Sequence, residues 1–269
     1  MTKAIPAVLA LAFSGAFGLG APAHAEETDR ALLSSFCDPA AIKGSTCKRA
    51  KFYPNAGYRT CDVTLTKDRY RGNFLSFGNP LLVVNYESGC EAHTTDGGGA
   101  ALFEQVGGTY AFGGFQPGMQ ANDCVTLPRR KRQDVLVCLV GHMGQGDLET
   151  ALAQVVFTKH PGKPITMSLD FLVTAEDTNG AFGSNVVTCK ERSKYFELSK
   201  LSVGPQPNTI TVEASYADAE TIRTACGTGF PKPKESFGDL VPGDAYVPDG
   251  YEKRGKFKID LATRNISPE

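Results

Sequence analysis

Apolar and polar residues alternate along this chain in steps of two. Ile165, Met167, Leu169, Phe171 and Val173 interleave with Thr166, Ser168, Asp170, Leu172 and Thr174. Successive side chains on a strand point to opposite faces, so this spacing predicts a half-buried strand with one apolar face. The pattern returns at Ile210, Val212, Ala214 and Tyr216, and again at Phe257, Ile259 and Leu261. Two runs, Leu81 to Val84 and Val135 to Val140, are continuously apolar, which predicts central strands covered on both faces. Leu148 to Phe157 fits a helical face through Leu148, Leu152, Val155 and Val156, and a strand equally well.

Clusters of Gly, Pro, Asn and Asp separate these runs, among them Gly97-Gly98-Gly99, Gly113-Gly114, Pro161-Gly162 and Asn179-Gly180. Such punctuation suits many short strands joined by turns. Helix signals are few: Asp38-Pro39 pairs an N-cap with proline at the first helical position, and Asp218 to Cys226 is a capped stretch ending at Gly227. The segment 227–255 holds four prolines and reads as a long surface loop before a final strand. The expected fold is all-β with minor helix, a single antiparallel domain over 26–269, built as a β-sandwich or a small β-propeller-like ring.

The first 25 residues change that picture at one end. Lys3, the apolar stretch Ala7 to Leu19 and the small-x-small site Ala23-His24-Ala25 have the order of a cleavable export signal. Removing 25 of 269 residues leaves 244, enough to bury a core without cross-links. No later segment is apolar for the roughly 20 residues of a membrane helix. Lys3 is the only charge before Glu26, so the remainder carries 27 basic and 29 acidic side chains. That balance argues against nucleic acid or an anionic membrane as a partner of the whole surface. All eight cysteines lie in the exported part, which predicts an oxidising compartment, periplasmic or extracellular, and up to four disulfides.

Cys124 and Cys138 are equidistant from Lys131, in the middle of the polar run Arg129, Arg130, Lys131 and Arg132. A hairpin turning there sets the two cysteines opposite each other, within disulfide reach. Nearest-neighbour pairing adds Cys37 with Cys47, Cys61 with Cys90, and Cys189 with Cys226. The basic run itself reads either as an anion-binding patch or as a solvated hairpin tip that discourages edge pairing; the near-neutral chain favours the tip.

Asn79 to Gly89 and Gln133 to Gly144 share an apolar strand followed by a polar, glycine-bearing exit. With Gly107-Gly108-Thr109-Tyr110 and Phe115 between them, residues 77–157 resemble the blade repeat of FG-GAP or VCBS-type β-propellers. That family binds calcium through an acidic loop before each such strand. Here the positions hold Arg129 to Arg132 and Gly78-Asn79-Pro80, so the resemblance implies strand order and no metal site.

Chemical signatures are sparse. His142, in Gly141-His142-Met143-Gly144, follows a buried strand and precedes Asp147 and Glu149, a candidate acid–base group at a loop mouth. No GxSxG elbow, P-loop or dinucleotide fingerprint occurs, no histidine has metal-ligand spacing, and no cofactor is implied. The reading that follows is an exported, non-catalytic binding or envelope-associated protein, presenting loops such as 91–99 and 227–255 to an envelope polysaccharide or protein. The alternative is a secreted hydrolase using His142 with Asp147, Glu149 or Asp177.

Overall fold

The computed structural model describes residues 29–50, 61–88, 98–129, 133–144, 147–177, 185–231 and 240–269, and of residues 142–144 and 147 the backbone alone. Among them β1 (Ile42–Lys43), β2 (Thr46–Ala50), β3 (Cys61–Gly72), β4 (Leu81–Ser88), β5 (Gly98–Val106) and β6 (Thr109–Pro117) pair in chain order as one antiparallel sheet, curled into a half-barrel. A second antiparallel sheet joins β7 (Asn122–Leu127), β8 (Val135–Gly144), β9 (Asp147–Thr158) and β10 (Thr166–Asp177). β11 (Asn185–Thr188) pairs with β14 (Asp244–Val247), and β12 (Ser193–Val203), β13 (Thr209–Asp218), β15 (Lys253–Asp260) and β16 (Ile266–Pro268) form the third large sheet, of four strands. Helices are short: α1 (Asp29–Ser34), a 3-10 turn at Pro39–Ala41 and α2 (Ala219–Cys226).

Strand alternation stacks these sheets. In β4, Leu82, Val84 and Tyr86 meet Leu32, Leu33 and Phe36 from the α1 segment, while Leu81 and Val83 turn the other way, onto Leu136, Cys138, Val155 and Phe157. In β8, Leu136 and Cys138 face the first sheet, while Val135 and Val137 face Ile210, Val212 and Phe257 of the third. The two continuously apolar runs therefore sit where both faces are covered. Each such Val or Leu contributes about 1.5–3 kcal/mol by leaving water. Leu82 and Leu136, the matching positions of the two similar segments, both face the preceding layer of the stack.

Cross-links tie neighbouring elements together. Cys37–Cys47 ties the α1 segment to β2, Cys124–Cys138 bridges β7 and β8, and Cys189–Cys226 ties the end of β11 to α2. Cys61 is also disulfide-bonded; its expected partner Cys90 lies outside the described residues, as do the export signal, Arg130 to Arg132 and Asn179-Gly180. Asp218 caps α2 by accepting hydrogen bonds from the Thr221 amide and hydroxyl, both at 2.9 Å, and Lys253 Nζ donates to it at 2.6 Å.

Several expectations change. Leu148 to Phe157 lies wholly in strand β9. The stretch 165–173 does not keep one apolar face: Ile165, Met167 and Leu169 face the first sheet, whereas Val173 faces the third. The ladder slips between Phe171 and Val173, and an extra residue in a strand reverses the faces beyond it. Gly98 and Gly99 lie inside β5 rather than in a loop. A Cβ on Gly98 would stand 1.9 Å from the Tyr86 carbonyl oxygen, so glycine there serves close backbone approach, not turning. Gly113 and Gly114 likewise lie within β6, at a slip in its ladder with β5, where the Ile165 amide donates to the Gly113 carbonyl at 2.9 Å. The expected loop 227–255 contains β14 and the start of β15, and β16 follows. Four residues are too few to show a period, and Ala245 and Val247 become core only by packing with Phe196, Ala217 and Ile222.

Candidate functional site

Three irregular strands bound a cleft of about 760 Å3 beside the second sheet. The β7 ladder slips between Asn122 and Cys124, leaving Asp123 in the left-handed region at φ 44°. The β10 ladder slips beside Phe171, and the β12 ladder slips between Ser199 and Ser202, with Lys200 at φ 49°. Asp123, Phe171 and Lys200 all line the cleft. Bulges re-aim side chains, and non-glycine residues with positive φ persist only where the surroundings fix them.

The bulge in β10 accounts for the aromatic in the cleft. Phe171 continues the face of Met167 and Leu169, but unlike them it is 54% exposed. Leu169, Ala151, Gln120, Asn122, Glu149 and Glu197 line the cleft with it.

Fixed neighbours hold the rim. Asn85, buried in β4, accepts from the Ala121 amide at 2.8 Å and donates to the Ala121 carbonyl at 2.7 Å and to Asn122 Oδ1 at 2.9 Å. A buried amide left unpaired costs about 1–3 kcal/mol, so these bonds determine where segment 121–122 runs. Gln120 Nε2 donates to the Tyr86 carbonyl at 3.1 Å, and the Leu198 amide to Thr150 Oγ1 at 3.2 Å, joining β12 to β9. The Cys124 amide donates to the Tyr70 hydroxyl at 3.3 Å, and burial raises the Tyr70 pKa above its ordinary value.

Charge is unevenly distributed. Lys200 Nζ is 2.8 Å from a Glu213 carboxylate oxygen, and that hydrogen bond lowers the Glu213 pKa. Among the described residues no ion pair reaches Asp123, Glu149 or Glu197. Among the described residues, the one cation lining the cleft is thus held by Glu213, and the cleft carboxylates Asp123, Glu149 and Glu197 are in no ion pair. No three His, Cys, Asp or Glu residues converge as a metal site among the described residues.

The structure separates the residues singled out by sequence. Glu149 lines the cleft; His142 is its ladder partner, inside β8 rather than at a loop mouth. The pairing of β8 with β9 continues through Gly144 and Asp147, so the glycines there do not end the strand. Asp177, at the end of β10, pairs with Leu148. Arg129 lies beyond the other end of the β7–β8 ladder, about 25 Å from Glu149 at strand rise, with its backbone amide donating to Asp134 Oδ1 at 3.0 Å. It does not join Glu149. Sequence reasoning missed Asp123, Glu197 and Lys200, which carry no local signal, and assigned Phe171 to a buried face because alternation continues through it.

Searched against protein-family models, curated proteins and solved structures, the chain matches none. Among the described residues no helix is long and apolar enough to cross a membrane.

Proposed function

We propose that this is an exported, non-catalytic binding protein of the periplasm or the extracellular medium, and that it holds its ligand in the cleft between β7, β9, β10 and β12. The observation that carries the reading is Phe171: a large aromatic held half out of the core, in a cleft whose carboxylates no cation among the described residues pairs with. Rigid sheets position such a site, and the cross-links suit a compartment where disulfides persist. The test is capture from envelope and culture-medium fractions by the oxidised protein without its leader. A ligand retained by the wild type and lost on Phe171→Ala supports the reading; equal capture by both rejects it.

A second reading, a hydrolase, draws on the backbone ladder pairing of His142 with Glu149, a cleft carboxylate. It requires turnover on a panel of glycosidic and ester substrates that disappears in both His142→Ala and Glu149→Gln.

A further inference from the structure

The chemistry of this cleft narrows its ligand, an inference that rests on the binding reading above. A volume of about 760 Å3 accommodates several linked rings rather than a single one. Its described lining offers one exposed aromatic face, Phe171, on which the C–H face of a flat ring can stack. Its lining includes Asp123, Glu149 and Glu197, which no ion pair among the described residues reaches, and an aromatic face in one cleft with carboxylates favours a ligand that carries ammonium groups. Lys200 only partly offsets this charge, because Glu213, which Lys256 also approaches at 3.8 Å, holds it at 2.8 Å, on the side where a second depression that Glu197 also lines continues toward Arg254 and Lys256.

Polyamines, lysine-rich peptides and amino-sugar chains all carry several ammonium groups, the first two on flexible chains. A lysine presents its charge on a flexible stem whose rotamer freedom is lost on binding, and it has no flat face for Phe171. A pyranose ring is rigid, has such a face, and carries hydroxyls that can exchange hydrogen bonds with Ser199 and the amides of Gln120 and Asn122.

We propose that the cleft binds an amine-bearing saccharide chain, with one ring stacked on Phe171 and its ammonium groups facing Glu149, Glu197 and Asp123. The test is calorimetric titration of the oxidised, leader-free chain with three probes: a glucosamine tetramer, its fully N-acetylated counterpart and tetralysine. The glucosamine tetramer is expected to bind saturably, with N-acetylation weakening affinity about tenfold or more because the charge is lost. Phe171→Ala is expected to weaken it about tenfold and Glu149→Gln about fivefold, the latter also reducing the salt dependence, with circular dichroism confirming that both variants fold. No binding of the glucosamine tetramer, equal binding of the acetylated form, or equal or tighter binding of tetralysine overturns the proposal. If the tetramer fails while Phe171→Ala still abolishes capture from envelope fractions, the saccharide assignment falls and the binding cleft stands; if capture is indifferent to Phe171→Ala, both fall.

Discussion

Phe171 and Val173 are two residues apart in one strand, yet they pair with the consecutive residues Ala153 and Leu152, so that Leu172 has no ladder partner between them. This single extra residue hands β10 from one core to another. Before it the strand packs on the first sheet, after it on the third, and at the crossover Phe171 is left exposed over the cleft.

Phe171 and Phe103 should therefore respond differently to truncation. Phe103 is fully buried and packs against Phe36 and Phe112. Phe103→Ala is expected to cost about 3–5 kcal/mol, and Phe171→Ala no more than about 0.5 kcal/mol, as for a surface side chain. Urea denaturation measures both, and a comparable loss at the two sites would place Phe171 in the core.

Cys124 and Cys138 are Cα partners in the β7–β8 ladder, 4.0 Å apart at Cα, and close a 15-residue loop. Replacing both by alanine is expected to cost about 3 kcal/mol, chiefly by releasing the unfolded chain. The denaturant slope should rise with it, since a less constrained unfolded state exposes more surface. An unchanged midpoint under oxidising conditions would show that the ladder needs no cross-link.

Asp218 makes the stability of the α2 region depend on pH. The hydrogen bond from Lys253 is the main cause that holds its carboxyl at about 2, below the ordinary 3.8, with the Thr221 amide and hydroxyl adding to it against desolvation. Because the folded value is the lower one, this stabilisation is present above the unfolded value and is lost as pH falls through about 4 toward 2. Asp218→Ala is expected to cost about 1 kcal/mol near neutral pH as a lost N-cap. The difference from wild type should shrink as the medium is acidified, and a gap that stays constant would show that the carboxylate charge is irrelevant.

Gly98→Ala tests close approach in the first sheet. Its Cβ would stand 1.9 Å from a backbone carbonyl of β4, which cannot move without breaking the β4–β5 ladder. Gly107→Ala meets open space, and its cost is set by its φ of +59° alone, about 1–2 kcal/mol. The expected result is a folded Gly107 variant and a Gly98 variant without native circular dichroism or protease resistance.

The elements that sequence rendered legible are those whose information is local. The alternation at Ile210 to Tyr216 and Phe257 to Leu261 marks β13 and β15, the apolar runs mark β4 and β8, and equal spacing about Lys131 pairs Cys124 with Cys138. In the candidate site only Glu149 was singled out beforehand. Asp123, Glu197 and Lys200 look like ordinary surface charges in sequence, and Phe171 looks like core.

By itself, then, the amino-acid order determined the strands at β13 and β15, the doubly covered runs and the cross-strand disulfide, because period and symmetry act between neighbours in the chain. Tertiary structure alone decided the rest: that Gly98 and Gly99 are strand residues, that Ala245 and Val247 are core, and that β10 changes faces at Leu172. Each of these depends on what stands opposite in space, a carbonyl, a helix or a second sheet, and no residue's own sequence neighbourhood encodes that. The cleft belongs to this second class, since it exists only where three ladders slip out of register next to one another.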